Sequence, residues 1–274
     1  STTHSAHRCR LQKSNPRARR RSEMAGAAGR DVVVHPYERV DDLQRSGLVI
    51  IQNPVKPRFS MDAVLLSEFA TVKQGDRCID LGAGTGVIPL LVWARRAPGR
   101  MVGVEIQADM ADMARRSVEL NGLADKIEIV HDDLKNAADV FGVGCFDVVL
   151  SNPPYLRIDR GAPSAEQELA LARHEVACTL EDVTSVAGKL LKSHGRLAMV
   201  HRPARLPDLL AAMRASRLEP ARLRFVQARA ASPPMMVLAE AVKESKVALA
   251  VMPTLVLYGE DGGYTDEINR IYFG

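Results

Sequence analysis

Three glycines at alternate positions follow a short apolar segment that reads as a strand, "CIDLGAGTGVIPLLV" (78–92). They are Gly82, Gly84 and Gly86. Glycines at a junction of strand and helix let the backbone turn sharply and approach a ligand closely. Asp80 lies in the strand just before the loop, and Glu105 ends the next predicted strand, 19 residues after Gly86. An acid at that second position can hold two ribose hydroxyls.

The charge of Asp80 indicates what kind of ligand the loop can hold. The spacing is GxGxG and there is no GxxxxGK[ST] motif, so the loop is not a P-loop. A carboxylate beside the loop would repel a pyrophosphate, whereas it suits a cation that carries an α-ammonium group, such as S-adenosyl-L-methionine. A nicotinamide or flavin site, and a structural turn with three packing glycines, are the alternatives.

Two further carboxylates, Asp132 and Asp133, end the third predicted strand in "IEIVHDDL" (127–134). Either could accept a hydrogen bond from an adenine amino group. Each could equally serve as the N-cap of a helix, and the two roles are compatible. The candidate cofactor-binding residues are therefore Asp80, Gly82, Gly84, Gly86, Glu105, Asp132 and Asp133.

A stiff polar tip ends a later strand in "DVVLSNPPYLR" (147–157). Two consecutive prolines remove two backbone donors and fix two φ angles. The side-chain oxygen of Asn152 and the carbonyl of Pro153 can together accept both hydrogens of an exocyclic NH2 group. Two fixed acceptors favour the positive charge that develops on that nitrogen during methyl transfer, and Tyr155 can stack on a flat substrate group. We predict that Asn152, Pro153 and Tyr155 form the catalytic tip, and we expect no metal site.

Strand-like and helix-like segments alternate from residue 77 onward, which predicts a parallel sheet with helices on both faces. The predicted helices are 109–121, 180–192 and 204–216. The predicted strands are 77–81, 101–106, 126–131, 145–151, 196–201, 222–228 and 235–242. Only about seven residues join the last two strands, too few for a parallel crossover, so the final strand should be antiparallel. Six parallel strands plus one antiparallel strand is the outline of a class I methyltransferase, a Rossmann-like, doubly wound α/β sheet.

Composition divides the chain into three parts. Residues 1–30 carry eight Lys/Arg and one acid, so the remainder of the chain has a net charge of −3. We expect 1–30 to be a disordered basic tail or read-through, with a nucleic-acid arm or an organelle leader as alternatives. Residues 31–76 should form a strand and helix extension over the cofactor site, and residues 77–274 the methyltransferase domain. Scattered cysteines and the lack of a long apolar run favour a cytoplasmic protein that makes no membrane contact.

Two other segments bear on the substrate. In "FSMDAVLLSEFA" (59–70), Ser60 is a possible N-cap, and the helix could cover the sheet edge or act as a lid in which Asp62 participates. Residues 202–229 hold seven arginines, which could bind phosphates or lie on solvated helix faces. We expect His201 and "ARHE" (172–175) to be structural.

Taken together, these motifs resemble the Asn-Pro-Pro-Tyr class of S-adenosylmethionine-dependent amino methyltransferases, and most closely the bacterial tRNA1(Val) adenine-N6 methyltransferases. The resemblance runs from about Tyr37 to the C-terminus and includes "ERVDDLQRSGLVIIQNP" (38–54), "MVHRP" (199–203) and "EDGGYTDEI" (260–268). It implies an N-methyltransferase whose partner is tRNA and whose target is the adenine next to the anticodon. By resemblance, Gly82, Gly84 and Glu105 contact the cofactor, Asp133 contacts adenine, and Asn152 grips the amine.

Two other functions remain open at this point. A protein glutamine-N5 methyltransferase acting on release factors would present the same planar NH2 group to the tip. Such enzymes usually carry a longer helical domain before the glycine loop, whereas only about 50 residues separate Met24 from Arg77 here. A non-catalytic RNA-binding protein could also retain the pocket. We expect a monomer.

Overall fold

The computed structural model describes residues 32–55, 61–153 and 178–274. Eleven strands lie in these ranges. They are β1 Arg39–Asp42, β2 Val49–Gln52, β3 Arg77–Leu81, β4 Arg100–Glu105, β5 Ile127–His131, β6 Phe146–Ser151, β7 Leu191–His201, β8 Leu218–Gln227, β9 Pro234–Lys243, β10 Ala250–Val251 and β11 Leu255–Val256.

Seven α-helices lie in the same ranges. They are α1 Met61–Phe69, α2 Val87–Arg96, α3 Ala108–Leu120, α4 Ala137–Phe141, α5 Leu180–Leu190, α6 Leu206–Ala215 and α7 Asp266–Phe273. Short 3-10 turns at Leu134–Asn136 and Pro203–Arg205 precede α4 and α6. Among these helices, none has the length and apolar character that crossing a membrane requires.

The central sheet has the strand order β5-β4-β3-β6-β7-β9-β8, and both β10 and β11 pair with β8. Strands β3 to β7 run parallel to one another, while β9 is antiparallel to both β7 and β8. Strand β8 therefore points the same way as β7. The predicted sheet of six parallel strands and one antiparallel strand is confirmed, and the short strands β10 and β11 are additions.

Helices cover both faces of the sheet, because successive side chains of a strand point to opposite faces and nearly all of them are buried in β3, β4 and β6. Cys78, Val148 and Leu150 face the layer that holds α1, α2, α3 and α7. Ile79 and Val149 face the layer that holds α4, α5 and α6. Functional side chains can then project only at the ends of the strands, where no helix covers them.

Two predicted boundaries differ from the structure by more than two residues. Strand β7 begins at Leu191, where we predicted helix, because the chain passes through a bulge with His194 at a φ of 61° before regular pairing starts at Arg196. Strand β8 begins at Leu218 rather than 222. Pro220 concealed this start, because proline lacks the donor that a regular ladder needs, and the register shifts between Pro220 and Arg222.

Strands β1 and β2 form an antiparallel hairpin that is fixed to α3. The amide of Ile51 donates to Ser117 Oγ at 2.9 Å, and the amide of Val49 donates to Asn121 Oδ1 at 2.9 Å. Glu38 forms an ion pair with Arg116 at 2.7 Å, which lowers the pKa of Glu38. The predicted strands and helix of the N-terminal extension are present, and its role over the cofactor site stays a prediction.

Helix α1 is buried along most of its length, including Asp62, Leu65 and Leu66. It packs against α2, β7 and β9. It therefore covers a face of the sheet and not its edge, which corrects one of the two interpretations given above. Ser60, the predicted N-cap, lies outside the described residues, and a lid role for Asp62 stays a prediction.

Candidate active site

The ends of four parallel strands bring the predicted site residues to one edge of the sheet. In the strand register Asp80 pairs with Leu150, so Asn152 lies two residues beyond that level on the neighbouring strand. Glu105 pairs with His131, at the ends of β4 and β5. In open α/β sheets, ligands bind beyond the carboxyl ends of the strands. The loop, the acids and the Asn-Pro tip therefore share the edge where ligand binding is expected.

All three glycines of the loop adopt a left-handed backbone conformation. The φ angles are +85° for Gly82, +56° for Gly84 and +85° for Gly86. A Cβ on Gly86 would also lie only 3.2 Å from the Cβ of Ala114 on α3. Side chains are disfavoured at these angles, so the glycines allow both the sharp turn and the close packing of α2 against α3.

Glu105 is buried and shapes the loop from the neighbouring strand. Its Oε2 accepts a hydrogen bond from the amide of Gly84 at 2.8 Å, and its Oε1 accepts one from the amide of Gln107 at 2.8 Å. Each carboxylate oxygen has a further lone pair. Glu105 can therefore order the loop and still accept hydrogen bonds from ribose hydroxyls.

Asp80 is fully buried in the middle of this arrangement. Within the described residues, neither of its side-chain oxygens has a hydrogen-bond partner. Burial raises its pKa well above the usual value, and the charge of Glu105 raises it further. An unpaired buried carboxylate is costly, and a cationic ligand group would offset that cost. The two acceptor oxygens of Asp80 fit the α-ammonium group of S-adenosyl-L-methionine, which would donate to them.

Asp132 and Asp133 follow β5 and are both half-buried. Asp133 caps the 3-10 turn, since its Oδ1 accepts a hydrogen bond from the amide of Lys135 at 2.9 Å. Asp132 Oδ1 accepts from the side chain of Asn136 at 2.9 Å and from the amide of Asp133 at 2.7 Å. The capping role is confirmed for Asp133, and the adenine contact stays a prediction for both.

The Asn-Pro tip is anchored directly to the strand that precedes the glycine loop. Ser151, the last residue of β6, is buried and donates from Oγ to the carbonyl of Leu81 at 2.8 Å. Asn152 and Pro153 follow immediately and are half-buried. Tyr155 and "ARHE" lie outside the described residues. The first two residues of the predicted catalytic tip are thus fixed beside the loop.

One exposed side chain at this edge was not singled out from the sequence. Ile106 directly follows Glu105, and 49% of its surface is exposed. The ring nitrogen Nε2 of His131 lies 3.1 Å from the Ile106 carbonyl, which fixes the backbone there. The sequence signal that could have identified Ile106 is an apolar residue directly after Glu105, the acid that ends β4. Its side chain offers an apolar surface on which a flat ring can pack.

The arginine-rich stretch 202–229 is not one free basic surface. Five of its seven arginines form ion pairs with carboxylates. The pairs are Arg205 with Asp208, Arg214 with Glu219, Arg217 with Glu244, Arg222 with Glu240, and Arg224 with Glu267. Arg229 is exposed and donates to the Gly259 carbonyl at 3.2 Å. His201 is buried, and this burial lowers its pKa. The burial agrees with the structural role expected for His201.

Comparison with solved structures identifies the class of fold. The chain is similar to a protein described as a predicted O-methyltransferase, Atu636 from Agrobacterium tumefaciens, with a TM-score of 0.63 and 25% identity over 77% of this chain and 95% of that one. It also resembles TYW2 of Pyrococcus horikoshii, solved in complex with MeSAdo, with a TM-score of 0.54 and 15% identity over 77% of this chain and 73% of that one. The fold and the site define a class I methyltransferase, and its cofactor is S-adenosyl-L-methionine.

Comparison of sequences identifies the family. A family model described as the methyltransferase small domain matches residues 60–214. A tRNA1(Val) (adenine(37)-N6)-methyltransferase of Porphyromonas gingivalis strain ATCC 33277 is 30% identical over 223 residues, covering 78% of this chain and 86% of the relative. The protein of the same name from Shewanella sp. strain MR-4 is 25% identical, covering 76% of this chain and 87% of the relative. The chain belongs to the methyltransferase small domain family and is an enzyme.

Proposed function

We propose that this enzyme methylates the exocyclic N6 amine of an adenine in tRNA, and that Asn152 and Pro153 hold that amine. The observation that carries the proposal is the position of the tip. It follows β6 directly and is bonded through Ser151 to Leu81, the residue before the glycine loop. An acceptor pair at this place faces the same edge as the cofactor-binding side chains.

The cofactor-binding residues hold the methyl donor in position. Asp80 receives the ammonium group, Glu105 the ribose hydroxyls, and Asp132 or Asp133 the adenine amine of the donor. When it is bound, S-adenosyl-L-methionine supplies an electrophilic methyl group. The glycine loop would permit close approach of the backbone to the donor, and the bond from Ser151 to Leu81 fixes the tip beside the loop, which would provide the proximity contribution.

The tip stabilises the charge that develops on the nitrogen. The side-chain oxygen of Asn152 and the carbonyl oxygen of Pro153 accept the two N–H groups of the amine. As the methyl group is transferred, the nitrogen becomes positive and these two charge-assisted hydrogen bonds strengthen. No base is required before transfer, because the product ammonium is acidic. Tyr155 supplies the ring on which the adenine stacks.

Adenine in tRNA is favoured over other acceptors by the names of the relatives. Both relatives compared above are named as adenine-37 N6 methyltransferases of tRNA1(Val), and the anticodon-loop adenine of tRNA-Val is therefore the proposed target. The Agrobacterium protein is described as a predicted O-methyltransferase. A pair of acceptors suits an NH2 group better than a hydroxyl group, because a hydroxyl has only one hydrogen to donate.

A glutamine side chain in a release factor is the second candidate, because its amide presents the same planar NH2 group to the tip. The N-terminal region makes it the less favoured one. Between residues 32 and 77 the described chain forms the β1–β2 hairpin and α1. The described chain ahead of the glycine loop is thus a hairpin and a single helix, and it contains no helical bundle within residues 32–55 and 61–76.

Incubation with radiolabelled S-adenosyl-L-methionine tests the proposal. Purified enzyme is mixed in parallel with unmodified tRNA and with release factor, and the labelled tRNA is digested to nucleosides. We expect label in N6-methyladenosine from the tRNA arm. Label in release factor alone would transfer the assignment to glutamine. Label in neither acceptor, with intact cofactor binding, would contradict both candidates.

A further inference from the structure

A group of aromatic side chains lies at the same edge of the sheet as the Asn-Pro tip, but at the other end of that edge. Strand β11 pairs with the last residues of β8, Val226 and Gln227. The chain then continues past that end, and the amide of Tyr258 donates to the carbonyl of Ala228 at 2.9 Å. Because β8 runs in the same direction as β6, Tyr258 lies beyond the carboxyl ends of the parallel strands. The proposed function does not use this segment.

Three tyrosine rings form a parallel stack there. The ring centroids of Tyr258 and Tyr264 are 5.3 Å apart with planes inclined by 19°, and those of Tyr264 and Tyr272 are 5.7 Å apart with planes inclined by 9°. Phe273 follows at 5.9 Å from Tyr272. A bridge between Tyr258 and Tyr264 and the cap of α7 at Thr265 fix the backbone of the loop. The rings are therefore held in a fixed stacked arrangement before any ligand binds.

The stack is anchored on one side and open on the other. Tyr272 is half-buried, and burial raises the pKa of its phenol to about 12. Tyr264 is 37% exposed and Phe273 is 57% exposed. Rings that served only to hold α7 in place would gain more by complete burial. A flat, neutral and exposed aromatic surface is what an unpaired nucleobase stacks on.

The distance along the edge suits a nucleotide near the target. Strands β7, β9 and β8 lie between β6 and β11, so four strand spacings, about 19 Å, separate the tip from the stack. Arg229 follows β8 at this edge and is exposed, so its guanidinium group can contact a phosphate. Glu260 and Asp261 are exposed in the loop and would repel phosphates. The loop therefore favours contact with a base and not with the sugar-phosphate backbone.

We propose that the rings of Tyr258 and Tyr264 bind an unpaired nucleobase of the RNA substrate, a few nucleotides from the adenine held by Asn152. The inference rests on the proposed function, since it assigns a second contact of the same substrate. It makes Tyr264 a substrate-binding residue that acts on affinity. The methyl-transfer step itself depends on Asn152 and Pro153 at the tip.

Substitution of Tyr264 separates the role of its ring in stacking from the role of its apolar bulk. Tyr264→Leu keeps apolar volume but removes the aromatic face, whereas Tyr264→Phe keeps both. For Tyr264→Leu we expect KM for tRNA to rise about tenfold, well within the range for loss of one base stack. The kcat and the affinity for S-adenosyl-L-methionine should stay within about twofold. Tyr264→Phe should restore the KM of the unsubstituted enzyme.

The control is an exposed tyrosine that is not part of this stack. Tyr37 is 62% exposed and stacks on His35 beside the hairpin. Tyr37→Leu should leave KM for tRNA unchanged. Thermal unfolding of each variant shows whether α7 remains in place, and it also decides whether a KM change reflects a general loss of folded protein.

Abasic substitution in the RNA provides a second measurement, because it removes the proposed contact from the side of the substrate. Nucleotides flanking the target in an anticodon stem-loop are replaced one at a time by abasic sites. At one position the abasic RNA should raise KM for the unsubstituted enzyme by about tenfold but should hardly affect Tyr264→Leu, because the lost contact is the same one.

The outcomes are distinguishable from failure of the proposed function. If the unsubstituted enzyme methylates no tRNA, the proposed function fails and this inference fails with it. If it methylates tRNA and Tyr264→Leu has an unchanged KM, only the stacking inference is overturned. The same holds if the KM increases caused by the abasic site and by Tyr264→Leu are additive at every position. An equal loss for Tyr264→Phe and Tyr264→Leu would also overturn it.

Discussion

Two fully buried carboxylates on the same face of the central sheet have opposite surroundings. Glu240 on β9 accepts hydrogen bonds from the amide and hydroxyl of Thr71 at 2.8 and 3.0 Å, from Arg196 at 3.2 Å and from Arg222 at 3.3 Å. Asp80 on β3 has no partner among the described residues. Both are 0% exposed. The fold therefore satisfies one buried charge completely and leaves the other without a partner at the edge that binds ligand.

This difference supports a structural role for Glu240 and the proposed ligand-binding role for Asp80. A buried acid surrounded by four donors fixes α1 and the last strands of the sheet against each other. A buried acid with no donor destabilises the free protein and is tolerated where a ligand compensates for it. Glu105 is intermediate, because two backbone amides already bind it while it faces the ligand edge.

Removal of Glu240 should have the largest effect on stability. Glu240→Ala leaves Arg196 and Arg222 without their carboxylate in a mostly buried position, and the free energy of unfolding should fall by about 3–5 kcal/mol. Denaturant unfolding measures this. Glu240→Gln, which keeps hydrogen-bonding capacity, should lose less. The exposed pair of Glu128 with Arg100 supplies the control, and Glu128→Gln should change stability by less than about 1 kcal/mol. Equal losses for Glu240→Ala and Glu128→Gln would contradict the structural role.

Replacement of Asp80 should have the opposite sign. Asp80→Asn should stabilise the free protein at neutral pH and weaken binding of S-adenosyl-L-methionine by about 1.5–3 kcal/mol, through loss of a charge-assisted contact. Calorimetric titration measures the affinity, and thermal unfolding without ligand measures the stability.

The pH dependence sharpens this prediction. Because the folded-state pKa of Asp80 is raised above its usual value of 3.8, stability contributed by its protonated form is present below that pH and is lost as the pH rises through the folded-state pKa. The gain in Tm of Asp80→Asn over the unsubstituted protein should therefore grow from pH 4 towards pH 8. A gain that is independent of pH would show that Asp80 is not an unpaired buried acid in the free protein.

The smallest effect is expected for Glu105→Gln. The amide keeps one acceptor oxygen for the loop but loses the charge, so cofactor affinity should fall by about 1 kcal/mol. Glu105→Ala, which also removes the bond to Gly84, should lose clearly more. If both variants bound S-adenosyl-L-methionine as the unsubstituted enzyme does, Glu105 would have no role in the cofactor site.

The periodic and short-range features of the molecule could be predicted from the sequence. The apolar strands, the positive-φ glycines and the antiparallel return of β9 follow from local patterning and loop length, and all are present. The network around Glu240 could not be predicted, because Thr71, Arg196 and Arg222 are distant in sequence and meet only through the strand order. The same strand order brings Tyr258 to the ligand edge, and nothing local in "LVLYGEDGGYT" (255–265) indicates that position.

The central claim is that methyl transfer takes place at the Asn152 tip, beside a cofactor site built around Asp80. The most direct test is the rate of methyl transfer to saturating tRNA by Asn152→Ala, measured together with its affinity for S-adenosyl-L-methionine. The account predicts that kcat falls by about 10²–10³ and that cofactor affinity stays within about twofold, because the charge on the amine appears only in the transition state. An unchanged kcat with intact cofactor binding would contradict the account and place the amine elsewhere.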